Sequence, residues 1–498
     1  MRRLLLVFVL LAISCTDNSR PDFVIHLVES RSGENPFQIS GCTNGTIRVD
    51  VAQGDEDVLT QNGTITNSQP DVSVQIPSYG LLTQIHVTAM CSTGTTPIFV
   101  GSTPEFIPTG YGWVDMVLAA PDSTALLSTP SLVPTRRAPQ LVTLGANVLV
   151  VGGAIDTAGM AYTAVQGLNP VQLTHPDEAG DIPGGFSTAV GLGSSVPLTG
   201  TSFVFVANGT YGVYDATLGV DDSTRVSTPF ALPTSAGADS AVIVLTDGSG
   251  IAVVGGSNGG DAAADITWIA SDGLSATSGM LRYPRRRPSV AYVSGKLLVA
   301  GGQAPGEPLF ELVAIRGADA GIPFDPPGVT GEARYAPVLT TDINHQFAFV
   351  ALGADDPESP TTIATTTYVL SNCQTTGSSA GCMVTASDPW PTTPRLEFAT
   401  VAHDVGTNMG ALDYETLVIG GREVTGDASM LIDRIHLATD GTVSVAAAAS
   451  LSTARAQPGA AEIGGGLVLV AGGADDRGSP LGSIELSFPQ NLAPITSQ

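Results

Sequence analysis

Positive charge is the scarcest feature of this sequence. Its 498 residues include 20 Lys and Arg against 46 Asp and Glu, a formal net charge of −26, and Lys occurs only at Lys296. Charged residues make up 13% of the chain, about half the usual share. An acidic excess of this size repels nucleic acid, so we expect no nucleic-acid partner. Charged residues and Leu at helical spacing are missing as well, which argues against surface helices.

Long hydrophobic runs are also missing. Residues 4–13 are apolar and follow two arginines, as in a secretory signal peptide, but they are about half as long as the ~20 residues that cross a bilayer as a helix. The Ala-Ile-Ser-Cys segment at 12–15 resembles the bacterial lipobox, which implies that Cys15 becomes an acylated N-terminus. We therefore predict a signal peptide over 1–14, a tether over 15–22, and an exported protein that is lipid-anchored at the outer membrane or cell surface. An ordinary signal peptide that contains a cysteine is the alternative.

Cysteine is rare and odd in number, five residues in all. If Cys15 carries lipid, four remain, and their positions predict the disulfides Cys42–Cys91 and Cys373–Cys382 in an oxidising compartment. A loop of about 50 residues closed by the first pair would add roughly 4 kcal/mol of stability in the chain-entropy model. Free buried cysteines are the alternative. Metal ligation is disfavoured because neither pair has Cys-x-x-Cys or nearby-His spacing.

The chain does contain many short apolar or β-branched runs that end in Gly, Asn, Asp or Pro, as β-strands do. Residues 23–120 hold about six widely spaced runs, most of which alternate apolar with polar residues, as at 46–51. With one disulfide, this pattern predicts a small β-sandwich, for which the roles of spacer and adhesive module both stay open. The boundary with the next unit falls near Pro121.

Residues 121–490 show an internal repeat. An apolar strand ending in a Gly-containing doublet recurs about every 50 residues. Two of the seven doublets are at 208–209 and 352–353, and the other five are Gly152-Gly153, Gly255-Gly256, Gly301-Gly302, Gly420-Gly421 and Gly472-Gly473. Five doublets have an upstream arginine, namely Arg137, Arg287, Arg334, Arg395 and Arg455. A strand that turns sharply in a crowded centre needs little side-chain bulk or a positive φ, which glycine provides.

This order of arginine, apolar strand, strand ending in Gly-Gly and third strand resembles the kelch repeat. The resemblance covers about 123–488, although two repeats lack the arginine and the family's Tyr and Trp after the doublet are mostly absent. It implies an all-β fold: a seven-bladed kelch-like β-propeller over 121–490, preceded by the small disulfide-bonded β-sandwich and followed by a tail over 491–498. Because the last blade lacks an outer strand, we expect 125–133 to pair with 484–488 and close the ring; a linker is the alternative.

Motifs that carry catalysis are absent, and we predict no catalytic residue. There is no His-Glu-x-x-His and no phosphate loop, and the two Gly-x-Ser-x-Gly matches, at 255–259 and 377–381, do not lead from a strand into a helix. Galactose oxidase, a kelch-type enzyme, binds copper through His and Tyr with a Tyr-Cys link. The cysteines of this repeat region are expected to pair with each other, so we do not expect a copper site of that kind. His403-Asp404 is a candidate general base, but we expect a structural histidine there.

Acidic loops follow several doublets, at 353–358 and 473–476 and around Asp261 and Asp265. Their oxygens suit Ca²⁺, but no complete calcium-loop spacing is present, so we expect turn residues. We predict no metal and no cofactor, with calcium at these loops as the alternative. The Arg285-Arg286-Arg287 run is assigned to the repeat rather than to an anion site.

Two functions remain after these exclusions. We expect a non-catalytic binding or scaffold protein that recognises protein or glycan through loops at one rim of the propeller. The alternative is a hydrolase, lyase or epimerase that acts on extracellular sugar from the central channel. Carboxylates, His and Tyr that converge at the channel mouth would favour the enzyme, and an apolar or Gly-lined mouth would favour the binder.

Overall fold

The computed structural model describes residues 22–28, 45–54, 58–65, 71–76, 80–91, 96–108, 113–128, 131–145, 147–162, 165–171, 181–182, 194–199, 201–207, 209–215, 217, 227, 230–232, 239–258, 261–316, 321–326, 331–374, 381–406 and 412–493. Within these ranges the secondary structure is entirely β, so no helix there could span a membrane. The predicted signal peptide, Cys15 and Cys42 lie outside the described residues.

The described residues before 121 form two sheets. Their strands are β1 (Asp22–Val28), β2 (Gly45–Gln53), β3 (Leu59–Ile65), β4 (Asp71–Gln75), β5 (Thr83–Cys91), β6 (Pro97–Ser102) and β7 (Trp113–Val117). One sheet has the order β4-β1-β7, with β1 parallel to β7, and the other is antiparallel with the order β3-β2-β5-β6. Alternate residues of both sheets, including Phe23, Ile47 and Val87, are buried in one shared hydrophobic core.

The described residues after 121 form seven antiparallel sheets, numbered here one to seven along the chain. After β8 (Thr124–Leu126), the strands of sheets one to three are β9 (Gln140–Leu144), β10 (Asn147–Val151), β11 (Val165–Leu168), β12 (Asp181–Ile182), β13 (Ser194–Thr199), β14 (Ser202–Ala207), β15 (Thr210–Asp215), β16 (Phe230–Ala231), β17 (Ala241–Val244), β18 (Gly250–Val254), β19 (Ser257–Asn258), β20 (Asp261–Ala270) and β21 (Ala276–Arg285). Sheets one and two each hold four strands in chain order. In sheet three, β18, β19 and β21 all pair with β20.

Sheets four to seven continue the same plan. Their strands are β22 (Ser289–Val293), β23 (Lys296–Ala300), β24 (Phe310–Ala314), β25 (Ile322–Phe324), β26 (Val338–Thr341), β27 (Ala348–Ala351), β28 (Thr367–Gln374), β29 (Gly381–Ser387), β30 (Ala399–Gly406), β31 (Leu412–Ile419), β32 (Ile432–Leu437), β33 (Val443–Ala447), β34 (Gly459–Gly464), β35 (Leu467–Ala471) and β36 (Ile484–Ser487). The first strands of neighbouring sheets lie side by side, as β22 does with β26 and β34 does with β9. The result is a β-propeller-like fold with these strands innermost.

Sheet seven contains the predicted closing strand. Its order is β34-β35-β36-β8, and Ala125 of β8 lies opposite Leu486 of β36. Leu127 N also donates to Ile484 O at 3.0 Å. The prediction that 125–133 pairs with 484–488 is confirmed, although only its first residues form the strand.

The glycine doublets occupy tight turns at the ends of the second strands. In sheet seven, Gly472 and Gly473 have φ values of 64° and 104°, and a Cβ on Gly472 would lie 2.6 Å from the carbonyl oxygen of Arg136. Both a side chain and an ordinary backbone conformation are therefore excluded, as the sequence predicted.

Five of the described arginines are fully buried beside these turns: Arg136, Arg285, Arg334, Arg395 and Arg455. Three of them are among the repeat arginines named from the sequence, and the other two lie one residue before Arg137 and two residues before Arg287. Their guanidinium groups bind backbone oxygens in or next to the sheet whose first strand follows the arginine. For example, Arg285 Nη1 donates to Gly301 O at 2.7 Å, and Arg455 Nη1 donates to Gly472 O at 2.8 Å.

The predicted disulfide Cys373–Cys382 is confirmed and joins β28 to β29. Cys91 is also disulfide-bonded. The sheets before residue 121 pack against sheet seven, because Val100 and Val117 share a core with Leu469 and Leu486 of that sheet. Sheet one also contacts the N-terminal sheets. Val171, between β11 and β12, is buried in the N-terminal core, and its carbonyl oxygen accepts a hydrogen bond from Asp115 N at 2.8 Å.

Candidate functional site

A collar of residues in the left-handed conformation encircles the inner strands. In six sheets the residue two positions before the first strand has a φ between 50° and 56°, and residue 192, the corresponding position in sheet two, lies outside the described residues. We call these six residues the collar: Ala138, Asp239, Arg287, Ala336, Glu397 and Gln457. Backbone hydrogen bonds link them from sheet to sheet, as from Ala336 N to Arg287 O at 2.8 Å and from Ala138 N to Gln457 O at 2.9 Å.

All six collar residues line one cavity of about 530 Å³. Its outer wall comes from the loops that follow the doublets of sheets five and six, which contribute Asp356, Glu358, Arg422 and Glu423. We call this cavity the funnel. The small side chains of Ala138 and Ala336 leave space inside the collar, whereas the longer charged side chains of the collar narrow the funnel.

One charged group of the funnel is built around Asp239. Its two carboxylate oxygens accept from Arg286 Nε at 2.7 Å and from Arg287 Nε at 2.8 Å. Burial alone would raise the pKa of Asp239, but the two arginines hold it below its usual value. Arg286 also binds Glu358 at 2.8 Å, so ion pairs join the three segments that carry Asp239, Arg286 and Glu358. The Asp239 carboxylate is therefore fixed and ionised.

A second charged group faces it from sheets six and seven. Glu397 accepts from Arg422 Nε at 3.1 Å through one oxygen and from Gln457 Nε2 at 2.9 Å through the other. The backbone reinforces this arrangement, because Gln457 N donates to Glu397 O at 2.6 Å. Glu397 is thus held in one orientation, with its carboxylate about one-third exposed.

Tyr335 lies beside the space left by Ala336. Burial, and then the negative charge of Asp356, raise the pKa of its hydroxyl, so the phenol stays protonated at neutral pH. Asp356 itself accepts backbone hydrogen bonds from Glu358 at 2.8 Å and Ser359 at 2.7 Å, which lower its pKa. The funnel therefore combines a neutral hydroxyl donor with fixed carboxylates.

Most funnel residues were missed from the sequence: only Arg287, assigned to the repeat, and the acidic loop at 353–358, considered for calcium, were singled out. The left-handed backbone at Arg287 directs its side chain into the funnel, and Arg285 takes the buried position. The doublet glycines and the buried arginines shape the turns around the funnel, without lining it. A usable signal exists: each missed collar residue of sheets one, five, six and seven lies two positions after a buried arginine.

Other residues considered from the sequence lie elsewhere. None of the described histidines lines the funnel. His403 is buried with Nδ1 2.9 Å from Gly466 O, and burial lowers its pKa to about 4, so it is structural. Ser257 lies in strand β19 rather than at a turn into a helix, and His175 and Ser379 fall outside the described residues.

Comparisons with known proteins support the fold alone. No protein-family model matches the sequence, and no curated protein matches it. A solved structure of a fungal alcohol oxidase of the AA5 family in complex with copper is similar with a TM-score of 0.53 and 15% identity, covering 72% of this chain and 76% of that one. A structure of YjhT has 10% identity and covers 71% of this chain and 95% of that one, but its TM-score of 0.39 is too low to carry weight.

Two expectations from the sequence are corrected here. The expectation of a non-catalytic binding or scaffold protein is corrected: the similar solved structure is that of an enzyme, and the funnel holds several carboxylates together with Tyr335. The expectation that no metal or cofactor is used is also overturned by that oxidase, which holds copper.

Copper itself does not fit the funnel of this chain. The lining contains one tyrosine and neither His nor Cys, whereas copper sites favour imidazole and thiolate ligands. Among the described residues, no three His, Cys, Asp or Glu side chains are placed to hold a metal ion. We derive no step through copper.

Proposed function

We propose that this protein is an exported enzyme that performs acid–base chemistry on a sugar in the funnel, as a hydrolase, lyase or epimerase. The observation that carries the proposal is the convergence of fixed carboxylates, guanidinium groups and a protonated Tyr335 in one cavity of about 530 Å³. A cavity of that size is within the range of small-molecule sites. Paired acidic and neutral hydroxyl groups suit the polyhydroxylated, weakly acidic character of sugars.

Glu397 and Tyr335 are the residues to which we assign the proton transfers. Glu397 is oriented by Arg422 and Gln457, and a carboxylate held in one orientation suits a general base. Tyr335 keeps its proton and suits a general acid. Arg287, held by Asp239 and by the carbonyl oxygen of Pro357, fixes the charged wall of the funnel beside these two residues.

The test is turnover of a panel of oligosaccharides, followed by release of reducing ends, by formation of unsaturated products and by anomeric or epimeric change in NMR spectra. Glu397→Gln and Tyr335→Phe should each lower the rate by roughly 10²-fold or more, the usual contribution of a general acid or base, without lowering the melting temperature. The matched control is Asp247→Asn, which alters an exposed turn between β17 and β18 outside the funnel lining. Unchanged turnover in both funnel variants would contradict the proposal.

We also propose the finer architecture and location. The seven sheets form one closed, seven-bladed propeller of the kelch type, and the two N-terminal sheets form a β-sandwich. Supporting this, collar residues Ala138 and Gln457 join sheets one and seven, and the N-terminal sheets share one core. A separate proposal concerns location.

We propose that the protein is lipid-anchored at the outer membrane or cell surface, as the segment at 12–15 indicates. Mass spectrometry of the native protein should find Cys15 as the acylated first residue, and an unmodified mature chain that begins elsewhere would refute the anchor.

A further inference from the structure

The charge of the funnel is unbalanced. Among the described residues, its lining includes five carboxylates and two guanidinium groups. The imbalance lies on a chain whose formal net charge is −26. Both the cavity and the protein around it therefore favour a cation over an anion.

The two arginines of the lining are already committed to the protein. Arg287 binds Asp239 and donates to Pro357 O at 2.8 Å. Arg422 binds Glu397 and also donates to Gly426 O and to Asp475 O, the latter at 3.4 Å. Arg286, behind the lining, pairs with Asp239 and Glu358. These contacts neutralise Asp239, Glu358 and Glu397.

Asp356 and Glu423 are the two carboxylates of the lining that form no ion pair with a described residue. They lie on the loops after the doublets of sheets five and six, and both line the funnel. Tyr335 and Phe398, both partly exposed, line the same cavity. An ammonium group is stabilised by carboxylates and by the faces of aromatic rings, and the lining of the funnel contains both.

We infer that the funnel takes a substrate with a protonated amine, an amino sugar with its nitrogen unacylated. This inference rests on the proposed function and specifies the substrate class of the same site. Asp356 and Glu423 would bind the ammonium group, and Tyr335 and Phe398 would contact the sugar ring. The Glu397 carboxylate would face the reacting hydroxyls or glycosidic oxygen. A uronic acid, which would add a carboxylate to a cavity already rich in them, is disfavoured.

The experiment compares three short saccharides of matched length, built from glucosamine, N-acetylglucosamine or glucuronic acid. Binding to the full exported chain is measured by titration calorimetry near pH 6, at low and at physiological salt. We expect the glucosamine saccharide to bind at least ~10-fold more tightly than the acetylated one, with a preference that falls as salt screens the charges. The double variant Asp356→Asn/Glu423→Gln should lose this preference, and Asp261→Asn, an exposed carboxylate outside the lining, should keep it.

The outcomes separate the inference from the proposed function. Equal binding of the amine and its acetylated form, or tighter binding of the uronic acid, overturns the inference and leaves a sugar-active enzyme standing. A preference for the amine that persists in the double variant comes from the general surface charge and also overturns it. If none of the three saccharides binds and none of the wider panel is turned over, the proposed function fails as well.

Discussion

Each buried arginine binds the sheet whose first strand follows it, and four of the five also pair with a carboxylate. Arg395 pairs with Asp433, and Arg455 with Glu485, with both side chains of each pair fully buried. In sheet one the equivalent partner of Arg136 is the neutral Gln166, at 3.0 Å. The partners Gln166, Asp433 and Glu485 share one position, the second residue of the third strand. The repeat thus keeps the position of the residue that faces the buried arginine, while the charge of that residue varies.

This difference gives a prediction for individual residues. Arg455→Met should lower the free energy of unfolding by about 3–5 kcal/mol, because it leaves the Glu485 carboxylate buried without its cation. Arg136→Met should cost less, about 1–3 kcal/mol, because Gln166 carries no charge. Thermal and denaturant unfolding at pH 7 would measure both, and Arg455→Met/Glu485→Gln should recover part of the loss. Equal losses in the two single variants would show that partner charge is not decisive.

At the scale of strands, the sequence predicted what depends on local pattern. The strands, the doublets and the return of β8 to β36 follow from period-two alternation, positive φ at glycine and the need to cover an edge strand. Adjacent arginines look alike in sequence, so the runs Arg136-Arg137 and Arg285-Arg286-Arg287 do not reveal which arginine is buried. In the fold Arg136 and Arg285 are buried, each two residues before a residue in the left-handed conformation. The collar was not predictable as a site, since its side chains range from Ala to Arg and converge only when the sheets form a ring.

At the scale of the whole molecule, the turn at 464–466 joins the N-terminal sheets to the ring. His86 of β5 lies beside it, with Nε2 3.0 Å from where a Cβ of Gly465 would be, and His403 of β30 contacts Gly466 O. Burial lowers the pKa of both histidines to about 4. Their contribution to stability is therefore complete above their usual pKa of 6.5 and is lost as the pH falls through about 4. Acid therefore lowers the stability of the contact between the N-terminal sheets and the turn at 464–466.

Glu462, near the same turn, has the opposite dependence. Burial, and then the charge of Asp404, raise its pKa from 4.5 to about 7. The folded chain thus holds a proton that the unfolded chain releases, so this contribution to stability is complete below pH 4.5 and is lost as the pH rises through about 7. Glu462→Gln cannot lose a proton, and it should match the wild-type melting temperature near pH 4.5 but exceed it at about pH 8. His86 and His403 titrate alike in both proteins, so their effect cancels in the difference between the two melting temperatures. Asp247→Asn is the exposed control, and a difference between Glu462→Gln and wild type that stays constant with pH would show that Glu462 is ionised throughout.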